Sequence, residues 1–386
     1  MGSGSERNKR CWCGSGLKIK KCHANREGQP PKKPGQAFAE LRSHFTKKYC
    51  LAPDAPAGCS GKIAKAHTVQ RAGALEAIAE DSHVYQMSVA PAVLARTGGL
   101  PEPKLVGINR GSTFTGFCQF HDSSLFRALE TAPFEGTPEQ CRLLTYRAAC
   151  RELFQKMSAA SAEDLLRQVD AGRTPSQQWL IQNLIGGVIA GTTAGLAGMV
   201  AHKKRMDAIL RTAHRPSPGA AILRLSSVPD VMCAGGIYPD EDVGGGELQD
   251  LGDVHASMSF MAFSMFLSGN TGFAVFSWEE DSATVSRAFV HSLLAQPRHT
   301  WSNYLVLFAF EYLENTLFRP GWWRGLSERA RSRLQKATMS GSPVTWNAGQ
   351  RLADLPLDVA DWEVQEVTWL EAGASVTPGS AGQGRE

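Results

Sequence analysis

Four metal-binding side chains fall close together near the start of the chain, in Cys11-Trp12-Cys13-Gly14-Ser15-Gly16-Leu17-Lys18-Ile19-Lys20-Lys21-Cys22-His23. A segment this short cannot bury an apolar core, so its folding energy must come from another source. Thiolates and imidazoles in two close pairs are the ligands that zinc takes in a tetrahedron. Cys11 and Cys13 can share an ion from one tight turn. Gly14 and Gly16 let the chain double back through positive φ, and Cys22 with His23 closes the site. The expectation is one zinc ion on Cys11, Cys13, Cys22 and His23, with binding and folding coupled.

The pattern CxCGSGxKxKxCH resembles the SEC-C motif, the zinc knuckle found at the C-terminus of the preprotein translocase ATPase and appended to many other bacterial proteins. Ligand order, the GSG turn and the basic run all match. The resemblance implies these four zinc ligands and a docking module for proteins or for the ribosome surface. It implies no activity and covers only this short run.

A second set of ligand-type residues is spread more widely. Cys50 and Cys59 flank a Pro/Gly/Asp loop, and Cys118 and His121 stand at i and i+3 where a helix begins, with Leu125, Phe126 and Leu129 on one face. These four are read as a second zinc set. Between them Ile63 and Val69 flank His67 in a short β-prone run. A zinc loop, a hairpin and a helix carrying the remaining ligands resemble the treble clef of HNH endonucleases. That resemblance implies His67 as general base and Asp122 as ligand of a catalytic Mg²⁺ or Mn²⁺ ion, which would polarise a phosphodiester. Cys50 and Cys59 stand farther apart than the family's usual pair, and its middle Asn has no clear counterpart here. The bland readings stand beside this one: His67 as a structural histidine of a small sheet, and Asp122 as a helix-capping acid. His83 either joins the site or packs.

Charge is divided unevenly. Residues 1–48 hold twelve Lys/Arg against three Asp/Glu, or +9, which leaves 29 against 34, or −5, for the remainder. A basic arm on a mildly acidic body suggests nucleic acid, or an acidic protein surface, as the partner of the N-terminal segment. The nine cysteines and the polar start of the chain point to metal binding in a cytoplasmic protein rather than to disulfides. Cys141, Cys150 and Cys233 read as core residues. The acids at 240–253 fit no EF-hand spacing and read as a polar loop.

With 42% hydrophobic and 20% charged residues, most of the chain should fold. The segment 179–202, WLIQNLIGGVIAGTTAGLAGMVAH, is long enough to cross a bilayer and has small residues at GxxxG spacing. Gln182, Asn183, Thr192 and Thr193 interrupt it, so a buried, closely packed helix is expected and a membrane partner is not. The Pro/Gly-rich stretch 90–104 reads as a loop. Helical spacing covers 139–170, 176–212, 283–296, 300–318 and 322–337. Strand character marks the ILRLSSV run and a pair within 257–278 around Gly269-Asn270.

The fold class expected is therefore α+β: a knuckle at 1–26, a basic linker at 27–49, a treble-clef ββα module at 50–132, a helix-rich α+β domain at 133–372 and a disordered tail at 373–386. Two functions follow from different classes. One is a metal-dependent HNH-like nuclease of phage or mobile-element defence. The other is a non-catalytic adaptor whose two zinc modules dock proteins, ribosome or nucleic acid. A membrane-acting effector using 179–201 is a minor third.

Overall fold

Gly269 and Asn270 separate a pair of apolar runs, and the chain reverses between them with Gly269 at φ 58°, a left-handed value that favours glycine. The computed structural model describes residues 6–31, 34–253, 256–340 and 357–373. Along the chain its elements are α1 (Pro34–His44), β1 (Ala66–His67), α2 (Glu76–Ile78), β2 (His83–Ser88), α3 (Pro91–Thr97), β3 (Glu102–Gly107), β4 (Thr113–Phe114), α4 (Gln119–Leu125), α5 (Arg127–Glu130) and α6 (Pro138–Ala160). There follow α7 (Glu163–Leu166), α8 (Pro175–Arg211), β5 (Gly219–Leu225), β6 (Val231–Ile237), β7 (Met261–Ser268), β8 (Thr271–Trp278), α9 (Ala283–Leu294), α10 (Trp301–Tyr312), β9 (Thr316–Phe318), α11 (Pro320–Gly325), α12 (Glu328–Met339) and β10 (Val364–Leu370). The class is α+β, as expected.

The chain divides into two compact units, neither of them continuous. One joins Met1–Lys48 to Leu153–Val200, and the other joins Tyr49–Glu152 to Ala201–Glu386. The larger unit is built on an eight-stranded sheet in the order β10-β5-β8-β7-β6-β9-β2-β3, with antiparallel neighbours. Its central strands are buried along most of their length, as strands covered on both faces must be. Phe263 and Phe276 meet Phe289 of α9 and Phe308 of α10 with ring centroids 4.5–6.2 Å apart. Cys141, Cys150 and Cys233 are fully buried, and Thr145 of α6 donates to Ser277 Oγ of β8 at 2.7 Å.

Three expectations are corrected here. The region 50–132 is not a module separate from 133–372: β2 pairs with β9, Tyr85 opposite Phe318 and Gln86 opposite Leu317, so the hairpin β2–β3 completes the sheet of the larger unit. The stretch 90–104 is not a loop. Pro91 starts α3, Gly98 ends it at φ 69°, and β3 follows. Proline at a helix start and glycine at its end are boundary signals, and they resemble a loop only in composition. Within 300–318, α10 stops at Tyr312 and the last three residues form β9. Thr316 turns its hydroxyl back onto the Ala309 and Leu313 carbonyls at that corner.

A fourth correction concerns 179–202. It is helical, but only 6% of the most apolar 18-residue stretch of α8 is buried. Trp179, Leu180, Leu184 and Val188 are exposed, and a Cβ at Gly186, Gly187, Gly191 or Gly198 would have no neighbour within 4 Å. By length and composition the helix is sufficient to cross a membrane. The expected linker 27–49 contains α1, and the expected tail, apart from Gly373, lies outside the described residues.

Asn315 fastens the 68–112 segment to the sheet. Its buried Nδ2 lies 2.7 Å from Thr68 Oγ1, 3.0 Å from Ser112 Oγ and 2.9 Å from the Ala234 carbonyl. Replacing it removes the amide hydrogens shared among these three acceptors, although the Thr68 and Ser112 hydroxyls keep each other and Ser112 keeps the Val69 amide. Asn315→Ala is therefore expected to lower unfolding free energy by about 1–3 kcal/mol, read from the urea midpoint at unchanged slope.

Candidate metal centres

The first centre grows from a bridge between Arg10 and Lys18. The Cys11 amide donates to the Leu17 carbonyl at 2.7 Å, and Gly14 and Gly16 take φ of 77° and 70° inside that loop. A turn of 3-10 helix, Ile19–Lys21, then brings Cys22 and His23 back, their amides donating to the Ile19 carbonyl at 3.0 and 3.1 Å. All four ligand atoms lie within 4.8 Å of one another. His23 Nδ1 is 3.2 Å from Cys11 Sγ and 3.1 Å from Cys22 Sγ, and the Sγ atoms of Cys13 and Cys22 are 3.5 Å apart. Bonds of about 2.0–2.3 Å in a tetrahedron put ligand atoms roughly 3.5–3.8 Å apart, so the set fits one metal ion.

Electrostatics around these thiols favours a cation. Burial pushes the Cys11 thiol up to about 12, with the negative charges of Cys13 and Cys22 adding to it, and burial also raises Cys22. At Cys13 burial acts upward too, but the hydrogen bonds of the Ser15 side chain and backbone outweigh it and the thiol falls below its ordinary value. Ser15 Oγ lies 3.2 Å from Cys13 Sγ and 3.4 Å from Cys22 Sγ.

Behind the ligands stands a shell that no local pattern announces. His23 Nε2 is 2.8 Å from Oδ2 of Asp170, a fully buried carboxylate. Arg26 Nε donates to Asp170 Oδ1 at 2.8 Å, and Gln182 Nε2 donates to Oδ2 at 2.8 Å. Arg167 donates to the Cys13 carbonyl at 2.6 Å. The knuckle, expected at 1–26, is thus bonded into 163–182.

The second centre is assembled by three neighbouring backbone runs. Tyr49 and Leu51 donate to the carbonyls of Thr115 and Gly116, while Ala64 donates to Phe117 O and Gln119 to Lys62 O. β1 pairs with β4, Ala66 opposite Phe114 and His67 opposite Thr113, and α4 follows. Glycine is required at Gly116, where a Cβ would sit 2.3 Å from the Phe114 ring. Cys50, Cys59, Cys118 and His121 bring their ligand atoms within 4.8 Å of one another. His121 Nδ1 is 3.4, 3.6 and 3.3 Å from the Sγ atoms of Cys50, Cys59 and Cys118 respectively. Burial raises Cys59 to about 11, alongside the Cys50 and Cys118 thiols. Cys118 is also opposed by burial, but hydrogen bonds with the His121 and Ser60 backbones and the Ser60 hydroxyl bring it down to about 6.

His67 and Asp122 belong to neither set. His67 Nε2 is 3.4 Å from the Ile108 carbonyl, and burial, against that hydrogen bond, lowers its pKa. Burial pushes the Asp122 carboxyl up to about 6, with Arg147 opposing and Glu130 and Cys118 adding. Its Oδ1 is buried without a hydrogen-bond partner among the described residues. Arg147 sits 4.0 Å over the Phe126 ring and donates to Glu130 Oε1 at 2.7 Å. His83 lies at the start of β2, its Nδ1 2.7 Å from the Asp81 carbonyl. Among the described residues, the two Cys/His sets are the groups of three or more ligand-type side chains close enough to hold an ion.

Elemental analysis of the full chain is expected to find two ions per molecule, and one would remove the second centre. Each ion displaces protons from thiols, so apparent affinity should fall as pH is lowered, read by competition with a chelator at several pH values.

The SEC-C motif family model matches residues 7–25, which take in all four ligands of the first centre. No curated protein and no solved structure matches the chain. What the geometry and the family match establish together is a Cys/His set that fits the zinc knuckle of the SEC-C motif.

Proposed function

We propose that the chain is a zinc-dependent adaptor: both centres hold structural Zn²⁺, and the outer face of the knuckle docks onto an anionic macromolecule. The observation that carries the first half is the ligand count. Four protein ligands converge at each centre, and four fill the zinc tetrahedron and leave no open position for a reacting water. The docking half rests on what the knuckle leaves outside. Trp12 and Leu17 are about half exposed, and Arg7, Lys9, Arg10, Lys18, Lys20 and Lys21 are exposed beside them in sequence. An aromatic ring among cations suits a phosphate-bearing surface, where stacking and charge act together.

The HNH-like nuclease is a second reading, favoured by one arrangement: β1 carries His67 and α4 carries Asp122 beside the second centre. Against it, neither residue joins a three-ligand set among the described residues, and the positive charge that acts on Asp122 is that of the Arg147 guanidinium. Cleavage of plasmid DNA or structured RNA with Mg²⁺ or Mn²⁺ that disappears in His67→Ala would restore it.

For the adaptor, structured RNA is the first probe. Fluorescence anisotropy should show binding that weakens steeply with salt. Reversing Lys18, Lys20 and Lys21 to Glu should weaken it at least tenfold and flatten the salt slope by about 0.7–0.9 for each phosphate no longer neutralised. Binding indifferent to the reversal, or none at low salt, would sink the RNA-docking reading.

A further inference from the structure

We propose that Asp170 is the positioning residue of the first centre: it fixes His23 as an Nδ1 ligand and so ties metal affinity at residues 11–23 to the packing of residues 163–182. The proposal rests on the zinc reading of that set.

The His23 ring is used on both sides. Nδ1 faces the thiols, within 3.2 Å of Cys11 and Cys22 Sγ, and Nε2 faces the Asp170 carboxylate at 2.8 Å. A neutral imidazole has one N–H and one lone pair. A carboxylate accepts only, so it selects the tautomer with hydrogen on Nε2 and leaves the Nδ1 lone pair for the ion. The same carboxylate holds the plane of the imidazole. No carboxylate within the knuckle does this. The one that does stands 147 positions along the chain.

Asp170 is itself held. Arg26 donates to Oδ1 and Gln182 to Oδ2, each at 2.8 Å, and the aspartate is completely buried. Arg26 also donates to the Arg167 carbonyl, and its own carbonyl accepts from the Gly172 amide at 2.9 Å. Gln182 in α8 donates a second bond to the Arg167 carbonyl at 2.9 Å. Arg167 closes the network by donating to the carbonyl of Cys13. The Trp12 ring packs on His23 from within the knuckle, with centroids 4.6 Å apart, but the carboxylate on Nε2 and its Gln182 partner come from the turn after α7 and from α8. Linkage makes the dependence reciprocal: if this segment tightens metal binding by some factor, metal stabilises the segment by the same factor. The knuckle is then a clasp on 163–182 that the ion closes.

The test uses the full, metal-loaded chain. Graded chelator is added, and thiol alkylation is followed peptide by peptide, which reports each centre separately. In Asp170→Asn the chelator concentration that exposes Cys11, Cys13 and Cys22 should fall about 10- to 100-fold, with Cys50, Cys59 and Cys118 unmoved. Because that substitution also strips Arg26 of its carboxylate, a second measurement needs no variant. Stripping the knuckle in the wild-type protein should speed hydrogen exchange of backbone amides in 163–182, a response that a purely packing role for Asp170 does not produce. An unchanged chelator midpoint in the variant, or amides in 163–182 indifferent to the metal, would overturn the proposal. Ready alkylation of Cys11, Cys13 and Cys22 in wild type before any chelator would show instead that the zinc reading itself had failed.

Discussion

Three thiols confined within 4.8 Å of one another resist ionising together, and a divalent cation among them reverses that resistance. The constraint decides how residues 6–26 can fold at all. The side chains buried there are Cys11, Cys13 and Arg26, so the ligand atoms and one charged residue stand where a larger segment would place leucines. Around Cys50, Cys59, Cys118 and His121 the balance is different. Phe117 and Phe126 are completely buried and meet edge to face with centroids 5.0 Å apart, and the ion would reinforce a core that already exists.

The first ligand set was legible in the sequence because everything it needs is local: two close pairs, two glycines and a turn. The members of the second set were legible by residue type, although Cys50 and His121 stand 71 positions apart, because thiols and imidazoles are conspicuous against a polar background. The β7–β8 hairpin was legible for a similar reason, a glycine–asparagine turn between apolar runs. Asp170 was not. An aspartate after Val169 and before Ala171 looks like any surface acid, and only the fold shows it fully buried against His23.

The misread elements share one physical cause: composition reports what a segment can bury, not what it does bury. The charge-free run of α8 has the residues of a core helix but lies largely exposed. The prolines and glycines of 90–104 have the composition of a loop, yet Pro91 and Gly98 bracket a helix. The three residues of β9 are too few to show a period, and their strand character comes from being paired on both sides, with β6 and with β2.

That last pairing bears on the order in which the polypeptide leaves the ribosome. Tyr85 of β2 meets Phe318 of β9 across 233 positions. At synthesis rates of about 5–20 residues per second, β2 waits roughly 12–47 s for its neighbour. Through that interval the β2–β3 hairpin presents an open hydrogen-bonding edge, with the Leu317 side that will cover it not yet made. A nascent chain halted after β3 and before β9 carries that edge uncovered, and a chaperone that shields it would do so over more than 200 residues of synthesis.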